Sequence, residues 1–124
     1  FYLLCGAAAA LAQVLQDPAS EIPMIGASGA IAGVLGAYLL LYPRARVLVL
    51  VFLGFFVTTL RLPALLVLGF WFVLQFFNAV VAGEAGGGVA WWAHIGGFVA
   101  GLGLILLFRD RRVALLGGRR GPWG

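Results

Sequence analysis

Long apolar runs separated by short polar breaks make up most of this chain. Phe1 to about Leu15 is apolar and gives way to the polar stretch Gln16–Pro23, which holds Asp17, Pro18, Ser20 and Glu21. A second run, Met24–Tyr42, stops at Pro43-Arg44, and a proline beside a charge is a strong helix stop. Val47–Leu60 is uncharged and ends at Arg61 and Pro63. Ala64–Ala82 is a clean 19-residue run, Gly83–Gly88 is a glycine-rich connection carrying Glu84, and Val89–Phe108 stops at Arg109. A membrane-crossing helix needs about 20 predominantly apolar residues. The first run is short for that, and the chain opens without Met inside it, so it reads as the end of a longer span. No apolar run alternates with period two, which argues against a membrane barrel.

The run Val47–Leu60 decides the topology. Its 14 residues fall in the range of interfacial or re-entrant segments. If it crossed the bilayer, Arg44 and Arg46 would lie on the side opposite Arg61 and the final arginines, and the positive-inside bias would vanish. If it stays at the cytoplasmic face, every arginine is inside, and Asp17, Glu21 and Glu84 are outside. Only Asp110, set among arginines, is then out of place. This second arrangement is the one expected here. The fold class is all-α: a polytopic helical membrane protein with about four spans plus one short interfacial or re-entrant segment. Residues 1–110 form the membrane domain and 111–124 a basic cytoplasmic tail.

Composition points the same way. Of 124 residues, 64% are hydrophobic and 10% charged, against roughly 45–50% and about 25% in soluble domains. A chain this small has too much surface to hide such an excess from water, and lipid is the simpler solvent. The net charge of +4 does not signal nucleic acid, because all eight basic residues are arginines at chain turns or in the C-terminal stretch Arg109, Arg111, Arg112, Arg119 and Arg120. That is how a cytoplasmic membrane flank looks. Arginine-only, Gly/Ala-rich usage hints at a GC-rich bacterial genome, hence a bacterial cytoplasmic membrane. Cys5 stands alone in an apolar run and forms no internal disulfide.

Two residues carry candidate chemistry. Ser28 lies in Gly26-Ala27-Ser28-Gly29 at the outer end of the second run. Glycines there permit a tight turn and close approach to a ligand, and a helix start exposes free N–H groups with a partial positive charge. Such a place can stabilise an oxyanion formed when the serine attacks a carbonyl; equally, Ser28 alone reads as an ordinary helix cap. His94, the single histidine, lies in Trp91-Trp92-Ala93-His94-Ile95-Gly96-Gly97. An ionisable residue inside a span is costly and marks a candidate site, the alternative being a hydrogen-bonded structural histidine.

Depth joins the pair. Ser28 precedes Arg44 by 16 residues and His94 precedes Arg109 by 15, so at about 1.5 Å per residue each sits roughly 22–24 Å from the cytoplasmic charges. Both helices run in the same direction. Gly29, Gly33 and Ala37 on one, and Ala93, Gly97 and Gly101 on the other, form stripes of small residues at spacing four, which let membrane helices pack closely. Close packing is what a short serine needs to reach a histidine. As a pair, neutral His94 takes the Ser28 proton and later returns one to the leaving amine. No acidic residue is available at that depth to orient His94, so the expected arrangement is a dyad, unless a further segment supplies a third group.

Other features are less specific. Gly83–Gly88 lacks a Gly-Lys-Ser/Thr ending, so it reads as a lid or a connection and not as a phosphate loop. Trp71, Phe72, Phe76 and Phe77 read as lipid-facing or packing residues, or a side gate for substrate. Gln75 and Asn78 are polar within the same span and either satisfy a backbone group or contact substrate. Trp91 and Trp92 fit an interfacial aromatic belt. One His and one Cys make no metal-ligand cluster, and no cofactor is expected.

Gly26-Ala27-Ser28-Gly29 opening one helix, with Ala93-His94-Ile95-Gly96-Gly97 opening the last, resembles the rhomboid intramembrane serine proteases. The opening Phe1-Tyr2-Leu3-Leu4-Cys5-Gly6 looks like that family's third core helix, and the resemblance runs from about Phe1 to Arg109. It implies a six-helix core that cleaves transmembrane protein substrates near their outer membrane boundary. It further implies Ser28 as nucleophile, His94 as base, and backbone help to the oxyanion from around Gly26 and Ser28. The family's first two core helices have no counterpart in these residues, and with them go the His and Asn side chains that the second helix normally adds to the oxyanion hole. Some members carry an aromatic residue four positions after the nucleophile to stack on the histidine; here that position is Ala32. The alternatives are a non-catalytic rhomboid-like protein that binds transmembrane clients, members of which usually lack the Ser or the His, and a transporter subunit, which would line a pathway with polar residues. The expected partners are transmembrane substrates and the lipid bilayer, with no nucleic acid; the oligomeric state is not legible.

Overall fold

The computed structural model describes residues 1–24, 26–82 and 90–117. Its elements are four helices, α1 (Tyr2–Gln16), α2 (Ser28–Leu41), α3 (Ala64–Ala82) and α4 (Trp91–Phe108), with a two-stranded hairpin, β1 (Arg46–Leu53) and β2 (Phe56–Pro63), between α2 and α3. The helices α1, α2 and α4 pack against one another, and α3 leans mainly on α4.

Small residues build the centre of this bundle. Cys5, Ala9, Ala30, Ala32, Ala93 and Phe98 are buried there. A β-carbon added to Gly97 or Gly101 would run into the carbonyl oxygens of Gly29 and Gly33, and one on Gly36 into that of Phe98. Thus α2 and α4 meet backbone to backbone along the two small-residue stripes, as their spacing implies. On the third side, Gly96 faces Ala12 and Ala8 of α1, and Gly33 faces Cys5.

The outside is apolar. Ala64–Val81 and Trp91–Phe108 are each long and apolar enough to cross a membrane, whereas α1 and α2 are shorter apolar helices. Leu66, Phe70, Phe77, Val99 and Leu107 are all exposed on the two long helices. A water-soluble core helix buries such side chains, so this exterior suits lipid.

One correction concerns Val47–Leu60. The chain there is neither helix nor irregular re-entrant loop but an antiparallel hairpin, with Arg46 opposite Pro63 and Leu53 opposite Phe56, so the fold is mostly helical and not all-α. The two-residue turn is Gly54-Phe55, with Gly54 at φ +64°, and a glycine in first place is what a hairpin turn of the II′ kind requires. Val47, Val49, Val51, Val57, Thr58 and Thr59 supply the β-branched residues that favour strands. A period of two is present after all, in burial and not in polarity: Val47, Val49 and Val51 are half-buried while Leu48, Leu50 and Phe52 are exposed. The hairpin also returns the chain to where α2 ended. The Ala64 N–H donates to the Ala45 carbonyl at 2.7 Å, and Leu65 N–H to that of Pro43 at 2.9 Å. Ala45, Ala64 and Leu68 pack there with Tyr38, Tyr42 and Val47. The segment after α4 docks at the same end, where Leu116 and Gly117 N–H groups donate to the carbonyls of Leu40 and Leu41. Arg44, Arg46, Arg61, Arg109, Arg111 and Arg112 therefore gather toward one end of the bundle. Arg119 and Arg120, like Gly83–Gly88, lie outside the described residues.

Candidate functional site

At the other end, α2 begins at Ser28, four residues later than the apolar pattern implies. Pro23 and Gly26 lie in the approach, and Gly26 adopts φ +113°, a conformation that side-chain-bearing residues rarely take. The cap position is Ala27, and no side chain caps the helix. Ser28 is therefore the first helical residue, not the cap. The first helical hydrogen bond runs from Ile31 N–H to the Ala27 carbonyl at 3.0 Å, so the N–H groups of Ser28, Gly29 and Ala30 have no partner within the helix.

The Ser28 hydroxyl is turned outward to α4. Its Oγ lies 2.9 Å from His94 Nε2. This juxtaposition follows from the glycine stripes: Ser28 immediately precedes Gly29, and His94 lies one helical turn before Gly97, whose Cα faces the Gly29 carbonyl. On the far side of the ring, His94 Nδ1 lies 2.6 Å from Gln75 Oε1 of α3. Gln75 is buried. Of the two polar residues singled out on α3, Gln75 thus reaches the site, whereas Asn78 makes no side-chain hydrogen bond among the described residues. No acidic residue meets His94 among the described residues; the far side of its ring meets the neutral amide of Gln75 from α3.

Two more residues hold His94. Trp71 of α3 stands 5.9 Å from the imidazole, centroid to centroid, tilted by 38°. Trp91 meets it edge-on at 6.3 Å. Aromatic company for the histidine comes from these helices, while Ala32 is buried in the bundle. Trp71 and Phe72 pack on Phe98, whereas Phe77 is exposed. Gln13 of α1 was not singled out from the sequence, although it is one of only two amide side chains, with Gln16, in an alanine-rich helix. Its Oε1 accepts a hydrogen bond from Ala93 N–H at 3.3 Å, satisfying one of the donors left free at the start of α4.

A cavity of about 600 Å³ opens over this place, with Gln13, Asp17, Met24, Ser28, Trp92 and His94 among its lining residues. Gly26 lines it as well. A hydroxyl against an imidazole, beside N–H groups that have no partner within their helix and facing a cavity, can carry out nucleophilic attack with proton transfer and anion stabilisation.

The model of the rhomboid domain matches residues 1–111. No curated protein and no solved structure matches the chain. The domain match takes in all four helices and the hairpin, and with the lipid-suited exterior it makes this an integral membrane protein. The chain belongs to the rhomboid family of serine intramembrane proteases.

Proposed function

We propose that this chain carries the catalytic pair of an intramembrane serine endopeptidase, with Ser28 as nucleophile and His94 as general base. The observation that carries the reading is the 2.9 Å separation of Ser28 Oγ and His94 Nε2, in a chain of protease family. Ser28 Oγ attacks the scissile carbonyl carbon while its proton passes to Nε2. The resulting oxyanion is met by backbone N–H groups around Gly26 and Ser28. The imidazolium then protonates the leaving amine, and a water, deprotonated by the same imidazole, hydrolyses the acyl-enzyme. Proton transfer of this kind contributes about 10²–10⁴-fold, and one oxyanion donor about 10²–10³-fold.

The substrates are transmembrane proteins cut near the outer membrane boundary. The chain contributes about four spans, α1 to α4. Residues 1–110 are the membrane domain and 111–124 its basic tail. The arginine-rich end faces the cytoplasm of a bacterium, an orientation that the positive-inside bias supports, and Ser28 and His94 then lie toward the outer face.

The test uses the full-length gene product in liposomes. A serine-directed phosphonate is expected to label Ser28, and both Ser28→Ala and His94→Ala are expected to lose labelling and cleavage of a transmembrane substrate. Normal cleavage by either variant overturns the pair, whereas a wild-type protein that neither labels nor cleaves leaves the client-binding reading in its place.

A further inference from the structure

Among the described residues Gln75 is the one buried polar side chain, at 6% exposure, on a helix whose only other polar residue is Asn78. A polar group in such surroundings is costly unless it is hydrogen-bonded, and its amide oxygen is bonded to His94 Nδ1. An amide oxygen accepts and never donates. With Oε1 facing the ring, Nδ1 must carry the hydrogen, and Nε2 then presents its lone pair to the Ser28 hydroxyl. That is the tautomer a general base needs. The opposite tautomer would aim an N–H at Ser28 and leave the hydroxyl without an acceptor for its proton.

We propose that Gln75 is a positioning residue for the Ser28–His94 pair, holding His94 in the Nδ1–H tautomer with Nε2 aimed at Ser28. The proposal rests on the catalytic reading of that pair. Gln75 does this without charge, unlike a carboxylate, which suits a site set in apolar surroundings where an unpaired charge is expensive to hold. Trp71, one turn earlier on α3, stands beside the same ring, so a single face of α3 fixes His94 both in orientation and in proton placement. The charged side chain on the opposite, cavity-lining side is Asp17, at the end of α1.

Three measurements on the full-length protein in liposomes test this. First, Gln75→Leu, of similar size but without an acceptor, is expected to lower kcat by about tenfold to a hundredfold, the scale of one lost orienting hydrogen bond, with little change in KM. Second, Gln75→Glu restores an acceptor and adds a charge. It is expected to recover kcat relative to Gln75→Leu and to move the acid limb of the kcat/KM profile to higher pH, because a carboxylate on Nδ1–H favours the protonated ring. If Gln75 merely filled space, Gln75→Glu would be no better than Gln75→Leu and the acid limb would stay in place. Third, ¹⁵N NMR of histidine-labelled wild-type protein, assigned by difference with His94→Ala, needs no folded Gln75 variant. Nδ1–H is the expected neutral form; a predominant Nε2–H form overturns the proposal even if the phosphonate labels Ser28. Absence of labelling in a protein with the Nδ1–H form instead overturns the catalytic reading, and the positioning role with it.

Discussion

The carbonyl oxygen of Gly29 occupies the place where a β-carbon on Gly97 would stand. One turn further, the Gly33 carbonyl does the same to Gly101. These contacts set the separation of α2 and α4, and that separation is what lets a side chain as short as Ser28 reach His94 at 2.9 Å. Packing and candidate chemistry are therefore one problem in this bundle, which makes the glycines sensitive probes of the site.

Gly97→Ala is expected to push α4 from α2, since the obstructing atom is backbone and has no rotamer to move. Overpacking of a close-fitted interior costs about 1–3 kcal/mol. Phosphonate labelling should fall sharply and the thermal midpoint should drop. Gly103→Ala on the same helix is the control, because nothing lies within 4 Å of its β-carbon position. It should retain labelling, with stability unchanged or raised by up to about 1 kcal/mol from helix propensity. Equal behaviour of the two variants would show that the backbone contact does not set the helix separation.

Gln13→Leu removes the acceptor that Ala93 N–H uses. A buried donor left without a partner costs about 1–3 kcal/mol, and the start of α4 bears His94. The expected outcome is a lower thermal midpoint with a reduced labelling rate at an unchanged inhibitor affinity. An unaltered midpoint would mean that the lost cap is replaced by water from the cavity.

Cys5 is fully buried against Gly33. A maleimide should therefore leave Cys5 unmodified in the folded bundle and react with it only as the bundle opens. Its labelling rate in increasing denaturant should follow the loss of phosphonate reactivity at Ser28. Rapid modification under native conditions would place the thiol at the surface and contradict the α1–α2 packing.

These relationships were unequally visible in the residue order. The stripes Gly29-Gly33-Ala37 and Ala93-Gly97-Gly101 and the matched depths of Ser28 and His94 were legible, because helical spacing and charge position are one-dimensional quantities. The hairpin was not: strands are usually recognised by alternation of polar and apolar residues, and here Leu48, Leu50 and Phe52 on the outer face are as apolar as Val47, Val49 and Val51 on the inner one. The contact of Gln75 was hidden for another reason. A residue's span is readable from the chain, but the face it turns to a neighbour depends on how α3 is rotated against α4. The apolar pattern puts the start of the second run at Met24, because hydropathy does not register the backbone turn at Gly26 that delays the helix to Ser28.

That turn supports a last prediction. Gly26 has φ +113°, two residues before Ser28, and open space where a β-carbon would stand. Gly26→Ala therefore removes no packing and creates no clash; its whole cost is backbone strain, about 1–3 kcal/mol for a residue held in such a region. The chain can relieve the strain by rotating the peptide that leads into Ser28, which carries Oγ away from His94. The labelling rate at Ser28 should fall by an order of magnitude or more, while the thermal midpoint falls by no more than that strain accounts for. Gly54→Ala supplies the matched comparison. Gly54 also has positive φ, at +64°, and open space around it, but it sits in the hairpin turn at the opposite end of α2. It should cost comparable stability and leave labelling intact. A loss of labelling in Gly54→Ala equal to that in Gly26→Ala would show that the effect is general loosening of the fold, and not the local geometry that brings the chain into α2.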